Sequence, residues 1–114
     1  MIEYSDRSLI PRLLLAMFLC ALFDQNTMAQ SNSARSLAAT CATCHGIDGQ
    51  AKEGMKSLAG RKTEEIANLV IEFRSGQRPA TIMHQIARGY TNDQLRLIAE
   101  YFASQPAPPN GAKN

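Results

Sequence analysis

No apolar run in this 114-residue chain is long enough to cross a membrane. The longest, Leu13–Phe23, has 11 residues, whereas a spanning helix needs about 20. Charge of one sign is also scarce: 12 Lys+Arg stand against 10 Asp+Glu, too small an excess to argue for nucleic acid. No β-rich run with βαβ organisation occurs, which removes the setting of a thioredoxin-like redox domain. The sequence shows no proton-transfer dyad and no nucleophile for catalysis of its own. With 114 residues it holds one domain.

The first segment is not part of that domain. Arg7 and Arg12 precede the short apolar run, and Asp24-Gln-Asn-Thr-Met-Ala29 follows it. A basic start, a short apolar centre and a small-residue exit describe a secretory signal peptide over 1–29, cleaved after Ala29. The alternative is an uncleaved anchor, which the short run disfavours. No twin-arginine pair precedes the run, so export as an unfolded chain and periplasmic residence are expected. Removal leaves 85 residues, with ten basic against seven acidic side chains, a formal +3. That is mildly basic and suits docking to an acidic partner. A domain this small buries a marginal core, which a large apolar cofactor would supplement.

Two cysteines remain, in the run Cys41-Ala42-Thr43-Cys44-His45. C-x-x-C-H reads as a c-type haem attachment site. On a helix, positions i, i+3 and i+4 share a face, so both thiols and the imidazole point the same way. The thiols of Cys41 and Cys44 then bond the two vinyl carbons of one haem, and His45 sits under the iron as proximal ligand. A thiol redox pair and a zinc site are the competing readings. The first lacks its fold context, and the second needs four ligands in paired spacing, for which only the distant His84 is available.

The pattern predicts an all-α domain over residues 30–105: three main helices and loops around one covalent haem c. Ala34, Leu37, Ala38 and Cys41 form one face of a first helix, capped by Asn32 or Ser33 and ended by Gly46. Residues 46–62 are glycine-rich and read as a loop. Ile66, Leu69, Val70 and Phe73 mark a second helix over about 63–75, with Thr63 as N-cap, Glu64 and Glu65 in its first turn and Gly76 beyond its end. Residues 77–90 read as a second loop with at most one short helical turn. Thr91 and Gln94 have capping-box spacing at the start of a third helix, which buries Leu95, Ile98, Ala99 and Phe102. Pro106, Pro108 and Pro109 end it, and 106–114 is read as a disordered tail.

The other face of the haem has three candidates, Met55, Met83 and His84. Met83 lies 38 residues after His45 in a loop able to swing over the far side of the ring. Met55, 10 residues after His45, is held near the proximal side or the edge. His84 and an open site are the alternatives to Met83. Met/His ligation raises the potential and fills both axial positions, bis-histidine lowers it, and an open site permits ligand binding. Arg78 and Arg88 read as solvated, with haem propionates as the alternative. Lys52, Lys56, Arg61 and Lys62 form a candidate docking surface.

These runs carry a resemblance. The chain after residue 29 resembles class I cytochromes c. More narrowly it is similar to the cytochrome subunit of flavocytochrome c sulfide dehydrogenases. Phe73-Arg74-Ser75-Gly76, Arg78-Pro79-Ala80-Thr81-Ile82-Met83-His84-Gln85, Gly89-Tyr90-Thr91 and Ala99-Glu100-Tyr101-Phe102-Ala103 are the matching segments. The resemblance implies Met83 as distal iron ligand. It also implies an FAD-containing flavoprotein partner that oxidises sulfide and passes electrons singly to this haem, making the chain the non-catalytic subunit of a sulfide:cytochrome c oxidoreductase. A free shuttle between respiratory complexes and a haem ligand-binding sensor are the other readings. One departure stands out: relatives often have proline before the Leu58-Ala59-Gly60 loop, where this chain has Lys56 and Ser57.

Overall fold

A computed structural model describes residues 9–52 and 54–109. All regular structure among them is helical: α1 (Leu9–His45), α2 (Thr63–Ser75), α3 (Met83–Arg88) and α4 (Asn92–Ala103). The chain divides into two units, one ending at Asn32 and one starting at Ser33.

Within the first unit α1 runs without interruption, and the boundary expected after Ala29 falls inside it. The expected N-cap at Asn32 or Ser33 is therefore corrected: both are interior helical positions. The physical reason is local. No glycine or proline stands between Asp24 and Ser33, so nothing breaks the i→i−4 bonds. Leu14, Leu15, Met17 and Phe18 are all more than 60% exposed. Among the described residues no helix is long and apolar enough to cross a membrane. Residues 1–8 of the expected signal segment lie outside the described residues.

The second unit packs three helical faces into one core. Ala38 from α1, Ile66 and Ala67 from α2, and Leu95, Ile98, Ala99 and Phe102 from α4 form the buried cluster. Each helix contributes an alanine (Ala38, Ala67, Ala99), a small side chain that lets neighbouring helices approach closely. Phe102 is fully buried and supplies the largest apolar volume, about 1.5–3 kcal/mol from burial alone. The faces expected for α1 and α4 are the faces that face inward.

Beyond the start of α1, helix ends follow the sequence except at Thr63. Thr91 Oγ1 accepts from the Gln94 amide (3.2 Å) while Gln94 Oε1 accepts from the Thr91 amide (2.9 Å), completing the capping box of α4. Gly76 ends α2 in the left-handed conformation, φ 80°. Thr63, expected as N-cap of α2, is instead its first helical residue; extended Lys62 precedes it and provides no side-chain cap.

The loop after α1 folds back on itself. The Gly49 carbonyl accepts from the amides of Leu58 (2.8 Å) and Ala59 (3.1 Å). Gly49 has φ +74°, and a Cβ there would lie 2.6 Å from the Phe102 ring. Only glycine satisfies both the turn and the approach to the core. At the other end, the Pro106 carbonyl accepts from Gln50 Nε2 (3.1 Å), so ordered contacts extend into the segment read as tail. Residues 110–114 of that tail lie outside the described residues.

Candidate functional site

One cavity of about 670 Å³ opens inside the second unit. Its size falls within the range of cofactor pockets, roughly 300–1,000 Å³. Cys41, Cys44 and His45 line it from the last turns of α1, and Met83 lines it from the first turn of α3. Aliphatic and aromatic side chains complete the wall, among them Leu69, Val70 and Phe73 of α2 and Leu95 and Ile98 of α4. Such a wall excludes water and suits a flat apolar ligand.

The imidazole of His45 is prepared for a ligand. It is buried, and its Nδ1 lies 2.6 Å from the Lys56 carbonyl oxygen. A carbonyl only accepts, so Nδ1 carries the proton and donates, leaving the Nε2 lone pair for a metal. A second partner of this kind fixes ring orientation and raises ligand basicity. The contact uses the main chain, so it does not depend on which side chain stands at position 56. Ser57 is itself buried, and its hydroxyl accepts from the Ala51 amide (3.1 Å).

The thiols differ in setting. Cys41 is half-buried and Cys44 exposed. Burial pushes the Cys41 thiol up, against a smaller opposing effect of its backbone hydrogen bond. A redox-active thiol pair depends on a depressed value, so this environment argues against that chemistry. Among the described residues no group of three or more His, Cys, Asp or Glu side chains converges as a zinc site requires. Two sulfurs and an imidazole on one wall, an imidazole nitrogen held ready, and a thioether elsewhere on the lining are a donor set that fits an iron porphyrin.

Other candidates divide. Met55 also lines the cavity and is 40% exposed, a position at its mouth. His84 does not line it. The Nδ1 of His84 is buried without a hydrogen-bond partner. Met83 was expected in irregular loop; it begins a six-residue helix, α3, whose turn closes through the Gln85 and Ile86 amides onto the Ile82 carbonyl. Of the basic residues, Lys56, Arg61 and Arg78 line the cavity while Lys52, Lys62 and Arg88 do not. Arg61 donates from Nε to the Ser57 carbonyl (2.8 Å) and pairs with Glu65 (2.7 Å). Arg78 pairs with Glu72 (2.8 Å). Tyr90 lines the cavity, whereas the Tyr101 hydroxyl donates to the Ile47 carbonyl (3.3 Å). Sequence reasoning passed over Arg74, whose guanidinium donates to the Tyr90 carbonyl (3.1 Å) and to Asn92 Oδ1. Its only sequence signal is a basic residue in the last turn of α2.

Comparison with known proteins gives the family. The cytochrome c family model matches residues 31–106. The chain is 41% identical over 68 residues to the cytochrome subunit of sulfide dehydrogenase of Chlorobaculum tepidum, covering 60% of this chain and 62% of that protein. It is 35% identical over 101 residues to the thiosulfate dehydrogenase electron acceptor of Stutzerimonas stutzeri, covering 87% of this chain and 46% of the relative. It is 33% identical over 70 residues to cytochrome c-554(548) of Halomonas halodenitrificans, covering 58% of this chain and 84% of the relative. The chain thus spans less than two thirds of the first two relatives. Its single C-x-x-C-H run, its all-helical fold and the family match together make it a member of the cytochrome c family, with one covalently bound haem c and electron transfer as its chemistry.

Proposed function

We propose that this chain is an exported single-haem electron acceptor for an FAD-containing dehydrogenase of a reduced sulfur compound, with sulfide the first candidate. Cys41 and Cys44 would hold the haem by thioether bonds, and His45 and Met83 would ligate its iron. When bound, the haem supplies a one-electron iron couple. The protein's own residues would orient that group and exclude water, and with His45 and Met83 both ligating the iron, electron exchange would be the available reaction.

The observation that carries this reading is the shared cavity: all four residues line one apolar space, and the His45 ring is oriented by the Lys56 carbonyl. The names of two relatives, a sulfide dehydrogenase subunit and a thiosulfate dehydrogenase electron acceptor, support the class of donor. The leader reading of 1–29 is supported by a short apolar run with exposed side chains at Leu14, Leu15, Met17 and Phe18.

The test is purification of the native protein from the exported fraction. A mature N-terminus at Gln30, a stoichiometric FAD-bearing partner and reduction of the haem by sulfide through that partner are expected. A lone monomer that sulfide plus the flavoprotein leaves oxidised rules out the partner assignment. Rapid exchange with a terminal oxidase instead identifies a free shuttle.

A further inference from the structure

The segment that carries Met83 is fastened to α2 at both ends. At its start the Arg78 amide donates to the Glu72 carbonyl (3.2 Å), and Arg78 Nε donates to the Glu72 carboxylate (2.8 Å). The same guanidinium lies over the Phe73 ring, 5.8 Å from its centroid. At its end Arg74 Nη1 donates to the Tyr90 carbonyl (3.1 Å), and Nη2 donates to Asn92 Oδ1. Glu72, Phe73 and Arg74 are consecutive residues in the last turn of α2. Phe73 and Tyr90 both line the cavity, so the fastenings sit at its wall.

The two are unequal. The Arg78 and Glu72 side chains are 46% and 36% exposed, where water and salt weaken an ion pair. The bond from Arg74 to the Tyr90 carbonyl is part-buried. Its planar fork grips two acceptors that flank Thr91, the residue between the end of α3 and the start of α4. A lysine, with one compact ammonium, cannot reproduce that grip. We propose that Arg74 is a positioning residue for Met83: by locking the α3–α4 junction to α2 it holds the thioether in place against the cavity.

This inference rests on the reading of Met83 as distal ligand. A thioether is a neutral donor on a flexible side chain, so its hold on iron depends on how much of the ordering the protein has completed beforehand. Loosening the junction raises that cost without touching the thioether itself.

The experiment uses the haem-loaded protein and four variants. Arg74→Lys keeps the charge and loses the fork. Asn92→Ala removes one arm only and keeps the test alive should the arginine variant fail to fold. Gly60→Ala is a stability control away from the fastenings, since its Cβ would meet Ala107 at 2.7 Å. Met83→Ala tests the ligand itself. The readouts are the far-red band of sulfur–iron ligation in the oxidised protein, followed through denaturant, and carbon monoxide binding to the reduced protein. In Arg74→Lys and Asn92→Ala the band should vanish well before unfolding, and carbon monoxide should bind at least about tenfold more readily than to the parent. In Gly60→Ala the band should persist until the protein unfolds. A band in Arg74→Lys and Asn92→Ala that lasts to unfolding, with parental carbon monoxide binding, overturns the positioning role. A band that survives Met83→Ala overturns the ligand reading instead.

Discussion

Cys41, Cys44 and His45 stand on the last turns of one helix, and the His45 ring is tied to a carbonyl 11 residues further on. Met83 stands at the start of a six-residue helix whose fastenings are side chains of α2, nine and eleven residues before it. One wall of the cavity is assembled from neighbours in sequence, the other from tertiary contacts. Local assembly costs little loop-closure entropy and forms with its helix. The wall that carries Met83 depends on the docking of α2, α3 and α4, so under the proposed ligation it is the side where affinity and potential would be adjusted. Damage to the first side should remove the cofactor, and damage to the second should retune it.

Replacing both Cys41 and Cys44 by alanine attacks the proximal side at its centre and has the largest effect. No haem should remain with the polypeptide on a denaturing gel, and the yield of folded protein should fall because the core alone is marginal. Met83→Ala attacks the distal side. Haem should stay covalently attached, while the far-red band disappears, the potential drops and carbon monoxide binds the reduced protein. A colourless Met83→Ala protein would erase the asymmetry between the walls. Gly49→Ala tests the scaffold behind the proximal loop. Left-handed strain and the close approach to Phe102 together predict about 3 kcal/mol of destabilisation in a denaturant titration. Thr91→Ala removes the hydroxyl half of the α4 capping box and should cost about 1 kcal/mol in the same assay. Arg96→Ala breaks an exposed pair with Glu64 and should change stability by about 0.5 kcal/mol or less.

The same contrast explains what could be read from the sequence. α2 and α4 were legible because apolar spacing, the Thr91–Gln94 box and Gly76 are local signals. The residues proposed for haem attachment stand in five consecutive positions, so the sequence alone brings them together. α3 was read as no more than a turn, since six residues give too little periodicity to distinguish helix from loop. The run of α1 through Asp24–Ser33 was missed because polar residues there suggested caps, although none of them breaks a helix. Arg74 escaped notice because its partners, the Tyr90 carbonyl and Asn92, lie on another part of the chain. The Lys56 carbonyl escaped because a main-chain acceptor leaves no mark on residue identity.

That last contact has an evolutionary corollary. Since His45 is oriented by a peptide oxygen, the side chain at position 56 is uncoupled from the orientation of the imidazole. Substitution there can alter the charge beside the cavity while leaving the imidazole where it is. The charge beside the cavity and the orientation of the imidazole are thereby free to evolve separately.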